Sequence, residues 1–447
     1  MTPRLDLDDI QHFLLTRTPA LAARYEFLSF DHDAAGRSWL AGLVDKVGTG
    51  QSVGAVSPDA RWVTIAFTYN GLRALGIGET ELATFPEEFR QGMAARAGIL
   101  GIDGNSGPDR WLGDLASPAL HAIVILFARD VSERDRCERQ HREYLSTLTG
   151  VTVLSALNLE AIPPFDGIAR EHFGYRDRLS QPVVAETGEQ PTPGSGPAVK
   201  AGEFFLGYED EGGTVPPLPR PELLSRNGSY LAYLRMEQHV GAFREFLRQQ
   251  ADTPDQQELV AAKLMGRWRS GAPLVLSPDK DDPALGGDLQ RTNDFLYKDA
   301  DPHGYRCPIG SHIRRMNPRD TAENMQRRKM IRRGGTYGSP LPEGAPDDGV
   351  ERGIAAFIGC SSLIRQFEFA MNVWVNDPKF KNLDNERDPI VGCHDGTFDM
   401  TIPKRPIRTR VRGLPAFSTI RGGAYFFLPG VQALRLLAGG QAGEHVS

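Results

Sequence analysis

The strongest constraint on this chain is an alternation of strand-length and helix-period segments that fills the first half and recurs in the second. RYEFLSF (24–30), WVTIAFTY (62–69), HAIVILFA (121–128) and VTVLSALNL (151–159) are β-branched or aromatic runs of strand length. Between them, AGRSWLAGLVDKV (35–47) and SERDRCERQHREYLSTL (132–148) have helical spacing and charged outer faces, with Ser132 as the predicted start of the second helix. Two stretches dense in Gly, Pro and acidic residues, 185–204 and 209–222, predict surface connections and the crossing between two domains. Beyond them GSYLAYLRM (228–236), GIAAFIGC (353–360) and GAYFFLP (423–429) read as strands, and HVGAFREFLRQQ and DQQELVAAKLMGRW as helices. Within LIRQFEFAMNVWVN, residues Leu363, Phe367, Ala370, Met371 and Trp374 share one helix face, which assigns them to a core. The pattern predicts an α+β fold in two units, and 447 residues suffice for both; we bound them at 1–222 and 223–447.

Charge and motif content remove several functions. A net charge of −6 does not suit a chain built to lie on a polyanion. No phosphate-binding loop of the G-x-x-x-x-G-K-[ST] kind occurs, nor a G-x-G-x-x-G that opens a helix after a strand. The longest apolar run, AIVILFA (122–128), is too short to span a bilayer. The opening MTPRLDLDDIQHFLL carries acidic residues where a signal peptide needs basic ones. Cys137, Cys307, Cys360 and Cys393 form no C-x-x-C and suit a reducing compartment. A cytoplasmic protein without nucleic-acid or membrane partners is expected, and association into a homo-oligomer is left open. Cys307, His312, Cys393 and His394 form an alternative metal set, a poor one because adjacent ligands rarely close a tetrahedral site.

The chemistry concentrates in CPIGSHIRRMNPRD (307–320) and QRRKMIRRGG (326–335). One histidine, His312, is followed by Arg314, Arg315, Arg319, Arg327, Arg328, Lys329, Arg332 and Arg333. A nucleic-acid patch would interleave aromatics, and none lies between 312 and 333. A solvated basic face is the second reading. The third is an anionic cofactor: arginine grips carboxylates through paired hydrogen bonds, and a haem brings two propionates and an iron that needs an axial ligand.

Several longer motifs then carry a resemblance. ARYEFLSF, WVTIAFTYNGLRALGI, TFPEEFRQGM, EHFGYRDRLSQP, AKLMGRWRSGAPL, CPIGSHIRRMNPRD, MIRRGGTYG, RQFEFAMNVWVNDPKF and RGGAYFFLP occur in the order of the dye-decolourising peroxidase family. The chain resembles that family almost end to end, in the bacterial type with the longer C-terminal domain. The resemblance implies two ferredoxin-like domains, with one haem b per chain held mainly by the C-terminal one. It implies His312 as the iron ligand, Arg319 as a propionate holder, and Asp177 and Arg332 as the distal pair, with Arg333 as the competitor of Arg332. It further implies Ile354 as an apolar distal wall and an acidic partner for His312, with Asp395 in CHDGTF first and Asp388 second. Hydrogen peroxide and an aromatic or dye-like electron donor are the implied substrates. A tailoring oxidase of the same fold and a non-enzymatic haem binder are the alternatives. Two departures stand out: Arg178 occupies the last glycine of the family's G-x-x-D-G motif, predicting an opened or strained turn, and Ala356 replaces a phenylalanine.

Overall fold

In the computed structural model, residues 4–15, 21–51, 63–163 and 168–439 are described. Eight strands form one sheet: β1 (Ala22–Phe30), β2 (Val63–Phe67), β3 (Ala122–Ala128), β4 (Val151–Glu160), β5 (Ser229–Gln238), β6 (Ile331–Tyr337), β7 (Gly353–Cys360) and, after the small ribbon β8 (Met400–Ile402) and β9 (Thr409–Val411), β10 (Ser418–Leu428). Their order is β4-β1-β3-β2-β10-β5-β7-β6, and every neighbouring pair is antiparallel. Each half of the chain therefore contributes four strands in the order fourth, first, third, second. With helices after the first and third strand of each quartet, this is the ferredoxin-like α+β plan twice over. The two quartets join where Phe67 of β2 pairs with Phe427 of β10.

Both faces of the sheet are covered, which explains why β2 is buried along its whole length instead of alternating. Successive residues of β10 separate into two cores. Tyr425 and Phe427 pack with Trp39, Phe89, Leu363 and Phe367. Ala424 and Phe426 pack on the other face with Tyr25, Tyr233 and Phe357.

The structure departs from the sequence reading in several places, four of which bear on the site and its supports. Trp62, the first residue of the second predicted strand, lies outside the described residues, and Tyr69 at its end opens a helix. The helix predicted from Ser132 begins at Val131, because the Asp130 side chain accepts the Glu133 N–H at 2.8 Å and caps it. Segment 363–376 buries the expected face but winds in wide turns, with Glu368 N–H reaching Leu363 O at 2.8 Å, five residues back. The acidic connection before β5 is not all surface: Asp210 and the nearby Glu203 are buried against Arg327 and Arg365. Among the described residues no helix is long and apolar enough to cross a membrane, and the four cysteines are free.

Candidate active site

Most of the clustered arginines serve as internal scaffolding. Arg314 binds Asp301 Oδ2 at 3.0 Å and Cys307 O at 2.7 Å, above the Tyr297 ring. Arg315 is fully buried and spends its guanidinium on three carbonyls: Trp374 at 2.6 Å, Asp377 at 2.8 Å and Glu386 at 2.9 Å. Two of these end the 363–376 helix, so the cation caps a helix C-terminus. Burial lowers its pKa to about 10. Arg327 pairs with Asp210 at 2.9 Å, and Arg328 lies over Phe369 and donates to Arg365 O. Arg333 alternates to the other face of β6 and donates to Phe13 O, Leu14 O and, at 3.0 Å, the backbone carbonyl of Arg332. A solvated basic face is not what these residues build.

Three cations remain otherwise engaged. Arg319, at φ 52°, donates to Gly194 O at 2.6 Å, Phe295 O at 2.8 Å and Asn293 O at 3.0 Å, with its guanidinium 3.8 Å from the Phe295 ring centre. Lys329 has Asn317 Oδ1 at 3.3 Å, and its pKa is pushed down to about 8 by burial, then by Arg319 and Arg332. The charges that reach Lys329 are thus both positive. Arg332 is accessible to solvent, yet the surrounding protein lowers its pKa through burial, against the opposing pull of Asp177. Solvent reaches it, but dense protein surrounds it.

His312 opens a short helix, His312–Met316. Its Nδ1 meets the Asp388 carboxylate at 3.0 and 3.2 Å, and Asp388 is entirely buried. Ile390 and Val391 N–H also donate to Asp388 Oδ1, at 2.9 and 3.0 Å. Burial alone would raise the Asp388 pKa; the His312 charge and hydrogen bond, Arg315 and the Val391 N–H outweigh it and hold the carboxyl below its usual value. The partner of His312 is therefore Asp388, the second candidate, and not Asp395. Asp395 is exposed and closes its own turn, accepting from Thr397 N at 2.9 Å and Thr397 Oγ1 at 2.5 Å. Among the described residues no three His, Cys, Asp or Glu side chains converge as a metal-binding set, which leaves the Cys393–His394 alternative without geometry.

Asp177 sits on a loop folded back on itself. Its N–H donates to Ala169 O at 2.9 Å, and Arg170 and Arg176 form a bridge. The Glu171 carboxylate ties the loop's inner edge by accepting from Tyr175 N at 2.9 Å, Phe173 N at 3.0 Å and Gln238 Nε2 at 2.5 Å. Arg178 N–H donates to Asp177 Oδ1 at 2.6 Å, and Arg178 itself adopts φ 64°. The turn keeps the left-handed conformation that a glycine would take freely, so the arginine strains it and does not open it.

The loop is fastened to β6 by Gln181, which sequence reasoning did not single out. Its side chain donates to Arg332 O and accepts from Arg332 N, both at 3.0 Å, like one rung of an added strand on this sheet edge. The Arg332 guanidinium reaches Ser180 O. Asp177 and Arg332 are thus held within electrostatic reach by consecutive residues of one loop. Across β7, Arg332 faces Ile358, Gly334 faces Ala356 and Thr336 faces Ile354. Ile354 lies on the same face as Arg332 but two cross-strand pairs away; Ile358 is the apolar neighbour directly opposite. Gly334 is required where it stands, because a Cβ there would meet Ala355 O at 2.1 Å.

No family model matches the chain. It is 31% identical over 452 residues to a dye-decolorizing peroxidase of Exidia glandulosa, covering 96% of this chain and 86% of that protein. Its structure matches that of an ancestral D-type dye-decolorizing peroxidase with a TM-score of 0.83 and 27% identity, over 97% of this chain and 99% of the other. A dye-decolorizing peroxidase solved in complex with 2,6-dimethoxyphenol matches with a TM-score of 0.83 and 26% identity, over 97% and 100%. The relatives matched along nearly the whole chain are fungal and the matched ancestral structure is D-type, which corrects the expected bacterial type with a longer C-terminal domain.

Proposed function

This chain belongs to the dye-decolourising peroxidase family of haem enzymes and is a peroxidase; we propose that it works with one haem b on His312 and with Asp177 and Arg332 as its distal pair. The observation that carries this reading is the His312–Asp388 contact. With Nδ1 given to a buried carboxylate, the ring presents Nε2 as a metal ligand, and the carboxylate raises its basicity. The residues fit the cofactor's charge as well. Lys329 feels the positive charges of Arg319 and Arg332, with no anion to oppose them, a setting that favours propionates. When bound, the haem supplies an iron centre that receives peroxide and stores its oxidising equivalents.

The protein's part is proton handling and charge stabilisation. Asp177 takes a proton from one peroxide oxygen and returns it to the other, which leaves as water. Arg332 stays cationic at any working pH and stabilises the negative charge that develops as the O–O bond breaks. Gln181 holds the two groups in register. The 2,6-dimethoxyphenol complex of a relative supports a phenolic or dye-like aromatic as the electron donor.

Titration of the purified apoprotein with haem tests the assignment. The parent should develop a Soret band at one haem per chain and oxidise a dye only when peroxide is present. His312→Ala should lose the axial-histidine spectrum; if it keeps that spectrum, His312 is not the ligand.

A further inference from the structure

Arg332 belongs to a straight row across the sheet. It faces Ile358, Ile358 faces Ala232, and Ala232 faces Tyr425. Residues directly opposed on neighbouring strands project to the same face, so Tyr425 lies on the Arg332 face, three strand spacings or about 14 Å of backbone away. Tyr425 is 2% exposed, and its hydroxyl donates to Glu368 Oε1 at 2.9 Å. Glu368 is equally buried and is gripped on both oxygens by Arg96, through Nε and Nη2 at 2.6 Å each; Arg96 Nη1 is braced by Gln91 Oε1 at 2.7 Å. This is an unusual environment for a tyrosine in this fold. The buried hydroxyls of Tyr175, Tyr230 and Tyr233 have no hydrogen-bond partner. Tyr337 does donate to a carboxylate, Glu351 at 3.1 Å, but alternates to the opposite face of β6.

We propose that Tyr425 is a redox-active residue, giving one electron to the peroxide-oxidised site while its phenolic proton passes to Glu368. The proposal rests on the haem reading above. The balance is simple: the O–H bond of Tyr425 breaks, the proton forms an O–H bond on Glu368, and the electron reduces the oxidised site by one equivalent. A neutral phenoxyl radical remains. Loss of the electron alone would leave a cationic phenol in an apolar core, which is costly, and the existing O–H···O hydrogen bond supplies the route by which the proton leaves. Burial, and then Glu368, hold the phenol's ionisation well above its ordinary value, so it enters the step protonated. Arg96 acts through Glu368 and is a positioning residue. The unit of positive charge left by the step rests on its guanidinium, already braced by Gln91.

The test is freeze-quenched electron paramagnetic resonance on the haem-loaded enzyme, mixed with one equivalent of hydrogen peroxide and no electron donor. The parent should give a radical signal that narrows when the protein is grown with ring-deuterated tyrosine. Tyr425→Phe should lose that signal while keeping the Soret band and the consumption of one equivalent of peroxide. Glu368→Gln keeps an acceptor oxygen but not a base, and should slow the appearance of the signal by about 100-fold. A parent with a Soret band but no tyrosyl signal, an unchanged signal in Tyr425→Phe, or an unchanged rate in Glu368→Gln would overturn the proposal alone. A parent that takes up no haem would overturn the reading beneath it as well.

Discussion

Asp388→Asn discriminates sharply between the two carboxylates considered for His312. In the parent, Asp388 Oδ1 receives the Ile390 and Val391 N–H groups at 2.9 and 3.0 Å, while Oδ2 lies 3.0 Å from His312 Nδ1. An asparagine must keep its oxygen toward the two backbone donors, because turning its NH2 there would oppose donor to donor. The amide nitrogen then replaces Oδ2 and directs a hydrogen at His312 Nδ1. To accept it, the ring must carry its own proton on Nε2, the atom proposed to bind iron. Loss of a group that orients a metal-binding histidine typically costs 10–100-fold in affinity, or about 1.4–2.7 kcal/mol. Absorbance titration of apoprotein with haem should show that loss in Asp388→Asn. Asp395→Asn should match the parent, since its side chain is exposed and bonded only within its own turn. Parent affinity in Asp388→Asn, or an equal loss in Asp395→Asn, would refute the tautomer argument.

Three further outcomes follow from the geometry. Arg178→Gly should be more stable than Arg178→Ala by about 1 kcal/mol in urea unfolding, because only glycine relieves φ 64°; equal stabilities would show that the turn is unstrained. Gln181→Leu removes two hydrogen bonds to Arg332, each worth about 0.5–1.5 kcal/mol, and should lower both apoprotein stability and the rate of reaction with peroxide; a slower reaction without a stability change would contradict the clamp. Lys329 has its pKa lowered from 10.5 to about 8 by burial, Arg319 and Arg332, so between those values the unfolded chain binds the extra proton and apoprotein stability should rise with pH. Lys329→Met should flatten that rise, and a parent whose stability is level from pH 8 to 10.5 would refute it.

The parts of the fold that were legible in the sequence are those governed by local chemistry. GIAAFIGC is β-branched, aromatic and bounded by glycine and serine, and it is β7 from Gly353 to Cys360. The core face of 363–376 was legible from its spacing even though the backbone chose wider turns. What failed is what depends on direction. Asp395 and Asp388 are both acidic and close to CHDGTF, but a side chain's target is set by the path of the chain, and Asp395 is already satisfied by Thr397. The arginine cluster signalled a charged site, yet its composition could not show that Arg315 and Arg333 spend their donors on backbone carbonyls, or that Arg314 divides its own between carbonyls and the Asp301 carboxylate. Gln181 gave no signal at all, because its partner is the backbone of a residue 151 positions away.

The central claim is that Asp177 and Arg332 together activate peroxide, and single-turnover stopped-flow mixing of the haem-loaded protein with hydrogen peroxide tests it most directly. Asp177→Asn removes the base and should slow the first spectral change by about two to four orders of magnitude. Arg332→Leu removes the cation and should slow it by about two to three, with the Soret band of the resting protein retained in both. Rates equal to the parent's in both variants would contradict the account.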